Sequence, residues 1–145
     1  MEFSIIIPTH NNYNYCKLTI DSIKKNSSFD HQIIVHLNGG NKLTENFLKK
    51  ERILYSKSDE NIGLCSGVNK AYKLSSKQYI LYSHDDMYFL PNWDEELVDE
   101  IHKIKNDKFY ISMTQIASHG PVKGSIQHIQ FDCGINRPVR CNLCH

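Results

Sequence analysis

The run Tyr82-Ser83-His84-Asp85-Asp86-Met87-Tyr88 gathers an imidazole and two adjacent carboxylates directly behind a short apolar segment, Gln78 to Ser83. Neighbouring carboxylates repel, and each disfavours ionisation of the other unless a positive charge offsets them. A hard divalent cation does so. Mg²⁺ or Mn²⁺ takes oxygen ligands, is commonly held by one or two carboxylates, and completes its shell with water and substrate phosphates. An ion on Asp86, with Asp85 and His84 beside it, would bridge a diphosphate and stabilise negative charge developing on a departing group. An isolated Asp-Asp pair more often belongs to a solvated loop or a helix cap. This one follows a strand pattern and precedes Leu90-Pro91-Asn92-Trp93, which reads as a helix start, and that setting favours the chemical reading.

Three other polar clusters sit in comparable places. Pro8-Thr9-His10-Asn11-Asn12 follows the first apolar run, where Thr and Asn offer donors and acceptors to a base or ribose and a following helix start offers free N–H groups to an anion. Its plainer reading is a helix cap supplied by Asn11 or Asn12. Val35-His36-Leu37-Asn38-Gly39-Gly40 ends the second run, and its glycines allow a tight turn or the close approach of a ligand. Asn61-Ile62-Gly63-Leu64, with Ser66, Gly67 and Asn69 behind it, opens a helical pattern but matches neither a Walker loop nor a dinucleotide fingerprint.

The elements that must carry these clusters alternate. Phe3 to Ile7 is a continuous β-branched run stopped by Pro8, which suits a strand buried on both faces. Gln32 to Leu37, Arg52 to Ser56 and Gln78 to Ser83 read as further strands, with Phe109 to Met113 and Ser125 to Phe131 as later ones. Between them, Tyr13, Cys16, Ile20 and Ile23, then Leu64, Val68 and Tyr72, then Trp93, Leu97, Ile101 and Ile104 recur at helical spacing, and Thr44 to Lys50 is a short helix. Asn92 is the expected cap of the last long helix, with Asp94, Glu95 and Glu96 as surface charges in its first turn. Strand and helix in alternation imply right-handed crossovers, an open and mostly parallel sheet, and a ligand site outside the carboxyl ends of its strands.

Bulk properties narrow the partners. The chain has 145 residues, with seventeen Lys and Arg against sixteen Asp and Glu, so no global field favours nucleic acid or an anionic membrane. The longest apolar run, Ile5 to Ile7, is too short for a signal peptide or a span, and the expected location is the cytoplasm, free or peripheral to the inner membrane face. Five cysteines read as reduced thiols, Cys16 and Cys65 as core positions on helices. Cys141-Asn142-Leu143-Cys144-His145 has the haem-attachment pattern without an export signal, and Cys133, Cys141, Cys144 and His145 lack the paired knuckles of a zinc site.

Taken in order, residues 4–11, 33–40, 61–63 and 79–87 followed by Leu90 to Trp93 closely resemble the inverting family 2 glycosyltransferases of the GT-A fold. The resemblance implies a Rossmann-like α/β domain with helices on both faces. It also implies transfer of a sugar from a nucleotide-diphosphate sugar to a hydroxyl of a saccharide or other acceptor, with Mn²⁺ or Mg²⁺. Pro8, Thr9, Asn11 and Asn38 then hold the nucleoside, Asn61 and Gly63 form the loop beneath the nucleotide, and Asp85 and Asp86 bind metal and diphosphate. Two positions depart from the family pattern: Asn38 stands in a turn that is commonly acidic, and His84 stands where an acidic residue often opens the metal motif. The length of 145 residues reads as one domain over 1–145, the lack of periodicity beyond Gly134 reads as an irregular tail at 134–145, and the resemblance implies an incomplete acceptor-binding part. Asp132 is the only late carboxylate in a setting suited to a general base, and a plain strand-end residue is its simpler reading. The competing class is a nucleotide-sugar-binding module without turnover.

Overall fold

A computed structural model of the chain describes residues 1–106, 108–113, 116–117, 120–121 and 127–130. It divides into two compact units, residues 1–98 and 99–145. The first unit is built on four parallel strands, β1 (Phe3–Thr9), β2 (Gln32–Leu37), β3 (Leu54–Lys57) and β4 (Tyr79–Tyr82), in the order β3-β2-β1-β4. Helices α1 (Tyr13–Asn26), α2 (Lys42–Lys50) and α3 (Leu64–Tyr72) make the crossovers, and α4 (Trp93–Lys103) follows β4. The first two crossovers step outward from β1 to β3, whereas the third jumps back to the far side of β1. With right-handed connections, α3 must lie on the opposite face from α1 and α2.

Residue alternation in β1 likewise puts α3 and α4 on opposite faces. Ile6 of β1 and Ile34 of β2 are register partners and pack with Ala71 of α3, flanked by Val68 and Leu74. Phe3, of opposite parity, meets the Trp93 ring of α4 at 6.3 Å. All seven residues of β1 are buried, as a central strand covered on both faces requires.

Pro8 does not stop β1, which continues through Thr9. Thr9 O accepts from Asn38 N on the β2 side and Ile6 O accepts from Ser83 N on the β4 side. Pro8 shares the parity of Ile6, so its missing N–H points toward β4, where pairing has already ended at Ile6.

The face of α3 differs from the Leu64, Val68, Tyr72 stripe. Leu64 and Tyr72 are about half exposed, at 48% and 55%, while Gly67 and Ala71 are the buried residues. The helix seats on small side chains because the fully buried His36 of β2 stands beneath it. A Cβ at Gly67 would fall 2.7 Å from His36 Cδ2. The same rotation puts Cys65 in solvent, not in the core, while Cys16 is buried as its spacing suggests.

Asp94 is likewise not a surface charge. It is fully buried, and Oδ2 accepts from Ser28 N at 2.7 Å, Phe29 N at 2.9 Å and His31 Nε2 at 3.0 Å. Phe3 N donates to His31 Nδ1, so the ring is the neutral tautomer with its proton on Nε2. Burial lowers the His31 pKa against the pull of Asp94, and burial with the nearby Lys70 lowers that of His36. Burial alone would raise the Asp94 pKa, but the donated hydrogen bonds outweigh it and hold the carboxyl below its ordinary range. Asn92 has φ +61° and offers α4 its carbonyl oxygen, which accepts from Glu95 N at 3.2 Å.

In the second unit, β5 (Phe109–Ser112) pairs antiparallel with β8 (Gln127–Gln130), and β6 (Ile116–Ala117) pairs antiparallel with β7 (Gly120–Pro121). The two later strands read from the sequence are present, with a small hairpin between them where Gly, Pro and His obscured the pattern.

Asp94→Ala strands three donors in the interior and should lower unfolding free energy by about 3 kcal/mol in urea titrations. Stability should also depend on pH with a defined sign. The unfolded chain protonates its imidazoles near about pH 6.5, whereas folded His31 and His36 resist protonation. Their contribution is therefore whole above that pH and declines as pH falls toward the folded-state values. The Asp94 contribution is present above about pH 4 and is lost below it. Equal stability at pH 7.5 and 5 would contradict the histidine assignment.

Candidate functional site

Because the four strands run parallel, the segments after them emerge at one edge, and the strand order reverses between β1 and β4. That reversal opens a crevice at the carboxyl ends, the usual ligand position in an open α/β sheet. Thr9 is the last residue of β1, Asn38 follows β2, Asn61 lies in the segment between β3 and α3, and His84, Asp85 and Asp86 follow β4.

Hydrogen bonds tie these segments together. Thr9 Oγ1 donates to Asp85 Oδ2 at 2.6 Å across the reversal point. Burial, aided by the charge of Asp85, pushes the pKa of the buried Cys16 thiol up to about 12. It stays a neutral thiol. Thr19 Oγ1 lies 2.9 Å from Asp85 O and 2.7 Å from Met87 O, and fixes the main chain of the same loop. Asp85 is half-buried, while Asp86 and His84 are exposed, with His84 Nε2 3.2 Å from the Tyr82 hydroxyl.

On the other side of β1, His10 Nδ1 donates to Asn38 O at 2.5 Å, leaving Nε2 to accept from Asn11 Nδ2 at 3.3 Å. A Cβ at Gly39 would lie 3.2 Å from the His10 ring, so the β2 turn and the β1 loop touch at a glycine. Asn11 is exposed with φ +52°, and Asn12 occupies the N-cap of α1 without a side-chain cap bond. Neither asparagine side chain caps that helix, so the plainer reading of this cluster does not hold. His10 was passed over as an individual residue in the sequence. Its contact with the β2 turn depends on pairing between strands 28 residues apart and has no local signal.

Asn61 Oδ1 accepts from Gly63 N at 2.9 Å, and Asn38 reaches the same loop through Ile62 N at 2.8 Å. Gly63 caps α3 with φ +81° and ψ 167°, a backbone state open to glycine alone, and nothing lies within 4 Å of where its Cβ would be. Space and unbonded first-turn N–H groups therefore coincide at the start of α3. Asp132, Cys133, Cys141, Cys144 and His145 lie outside the described residues.

Among the described residues no three or more His, Cys, Asp or Glu converge as a self-sufficient metal cage. The donors at the reversal point are two neighbouring carboxylates, one fixed by Thr9 and one open to solvent. That set suits Mg²⁺ or Mn²⁺ bound jointly with a phosphate ligand.

Fold and site together define an open parallel α/β domain of the GT-A type with a polar crevice at its switch point. The glycosyl transferase family 2 model matches residues 4–139, and the chain belongs to that family. An uncharacterized glycosyltransferase of Rickettsia conorii is 37% identical over 111 residues, covering 71% of this chain and 18% of that protein. One from Rickettsia prowazekii is 34% identical over 106 residues, covering 71% and 33% respectively. S. aureus TarS 1-349 in complex with UDP shares the fold with a TM-score of 0.63 at 22% identity, over 71% of this chain and 32% of that one. Mannosyltransferase PcManGT from Pyrobaculum calidifontis, in complex with GDP-Man and Mn²⁺, does so with a TM-score of 0.60 at 14% identity, over 72% and 32%. The chain thus spans about a third or less of the length of these proteins.

Gly63→Ala should cost about 1–3 kcal/mol of stability in urea titrations, although the space above Gly63 is open. No contact is formed or broken, so the loss reports the backbone conformation alone. An unchanged midpoint would show that the loop relaxes to negative φ without penalty.

Proposed function

We propose that this chain is the donor-binding part of a glycosyltransferase that moves a sugar from a nucleoside-diphosphate sugar to an acceptor hydroxyl with the help of Mn²⁺ or Mg²⁺. The observation that carries the reading is the Thr9–Asp85 hydrogen bond, which closes the switch-point crevice with a fixed carboxylate beside the exposed Asp86. Family membership supports the activity, and the nucleotide complexes of its structural relatives support the ligand class.

In this reading Pro8 and Thr9 form the floor of the crevice, and Asn11 with the turn at Asn38 borders the nucleoside. Asn61 and Gly63 shape the loop beneath the nucleotide, where the open backbone at Gly63 admits a phosphate close to the first turn of α3. Asp86 and Asp85, with His84 at the margin, hold the ion. The bound ion supplies Lewis-acid stabilisation to the departing diphosphate. Thr9 keeps the Asp85 side chain in one orientation, so the ion site is assembled before the donor arrives.

Calorimetric titration with UDP and GDP, with and without Mn²⁺, tests this on the wild type and on Asp86→Ala. At least one nucleotide should bind wild type about tenfold or more tightly with the metal, since uncompensated phosphate and carboxylate charges repel. Asp86→Ala should return affinity to the metal-free level while shifting stability by no more than roughly 0.5 kcal/mol, as for other exposed groups. Equal affinity in all conditions removes the metal from the mechanism. Binding without any sugar-nucleotide hydrolysis favours a module without turnover.

A further inference from the structure

We propose that Asn38 is a positioning residue that clamps the 61–63 loop through its side-chain amide, and that it does not read the nucleobase; the proposal rests on the donor-binding role assigned to this site.

The side chain is only 7% exposed and both of its polar atoms are engaged within the protein. Oδ1 accepts from Ile62 N at 2.8 Å, and Nδ2 donates to Gly63 O at 3.3 Å. An amide presents one acceptor and one donor on the same planar end, and the loop presents one N–H and one C=O to match them. A carboxylate would satisfy Ile62 N but set a second oxygen against Gly63 O. The residue type at this position is therefore dictated by the loop.

The main chain of Asn38 is equally committed, its N–H to Thr9 O at 2.9 Å and its C=O to His10 Nδ1 at 2.5 Å. Behind it stands Ser58 Oγ, 3.3 Å from Asn38 Oδ1, 3.3 Å from His36 Nε2 and 2.7 Å from Glu60 O. The single hydroxyl proton goes to the shortest of these, Glu60 O, so His36 Nε2–H donates to Ser58 and His36 Nδ1 accepts from Ser56 at 2.8 Å. The His36 ring that seats Gly67 of α3 is thus linked through Ser58 to the Glu60 main chain, just ahead of the loop that Asn38 holds. One buried row sets the height of the loop over the crevice and the start of the helix together, and base choice falls to groups other than residue 38.

Asn38→Asp separates the two roles because a protonated carboxyl is isosteric with the amide: its C=O accepts from Ile62 N–H and its O–H donates to Gly63 O. A buried carboxyl facing a carbonyl has a raised pKa, so the clamp is broken at high pH and restored as pH falls. Binding of UDP, GDP and CDP with Mn²⁺ should be weakened by the same factor, about tenfold at pH 8. The gap to wild type measured at the same pH should close toward pH 5.5. A selective change in preference among the bases, or a gap independent of pH, overturns the clamp. Hydrogen exchange at the Ile62 amide decides the matter without nucleotide. That amide should be protected in the wild type and exchange about tenfold or more faster in Asn38→Ala, whereas unchanged exchange overturns the proposal. If the wild type binds none of the nucleotides, the donor-binding reading falls, and the exchange measurement still judges the clamp by itself.

Discussion

Parallel pairing of β1 is the constraint on which the rest of the molecule depends. A parallel neighbour can be reached only by a crossover, so each strand must be followed by a helix before the next begins. The strands therefore all point their carboxyl ends to one edge, and that edge collects every chain segment that is free to be polar. β2 and β3 were laid down on one side of β1 and β4 on the other, which makes the gap between β1 and β4 the one place where successive crossovers diverge. Thr9 and Asp85 face each other across this gap as a consequence of strand order, although they stand 76 positions apart in the chain.

Burying β1 on both faces creates a second demand, that the covering helices be held without polar groups left unpaired. On the α3 face this is met by size: Gly67 lets the helix descend onto His36, whose two nitrogens are satisfied by Ser56 and Ser58. On the α4 face hydrogen bonds meet it for all but one oxygen: Asp94 Oδ2 gathers Ser28 N, Phe29 N and the His31 ring while Asp94 Oδ1 stays unpartnered, and Trp93 Nε1 donates to Ser27 Oγ at 3.0 Å. The turn between α1 and β2 is thereby fixed to the start of α4. That anchor also limits the loop carrying the carboxylates, because Asn26 Nδ2 donates to Phe89 O and Asn92 N donates to Asn26 O at the far end of the same loop. The loop is held by α1 at both ends, through Thr19 near Asp85 and Asn26 near Phe89.

Much of this was legible in the residues. Continuous β-branched runs at Ile5 to Ile7 and Ile33 to Val35 reveal central strands because both faces of such strands are largely covered. Polar clusters placed after such runs reveal the ligand edge, since the topology leaves them nowhere else to lie. What stayed hidden depends on partners distant in sequence. A helical stripe of Leu64, Val68 and Tyr72 outweighs Gly67 and Ala71 on any hydropathy scale, yet the small pair is buried because a histidine on another strand demands a close approach. An acidic first turn reads as dipole compensation, and only the fold shows that Asp94 meets two free N–H groups of another loop. Pro8 reads as a strand terminator, and only the ending of β4 pairing makes its missing donor harmless. Asn38 could be placed at the edge from its position after β2, but the direction of its amide depends on a loop some two dozen residues away.

The same partition explains how two adjacent carboxylates coexist at the crevice. Asp85 is half-buried, and the Thr9 hydroxyl takes up part of its negative charge. Asp86 is turned outward, where water screens it. Repulsion between the two is thus spread over a part-buried hydrogen bond and solvent. The arrangement separates geometry from charge. Thr9 and Thr19 hold the loop at fixed hydrogen-bond distances, whereas Asp86 stands exposed beside them as the carboxylate that the proposed ion would draw on. In the proposed reading, buried contacts fix the floor of the site and an exposed carboxylate stands at its mouth, an arrangement suited to a ligand that brings most of its own metal ligands with it.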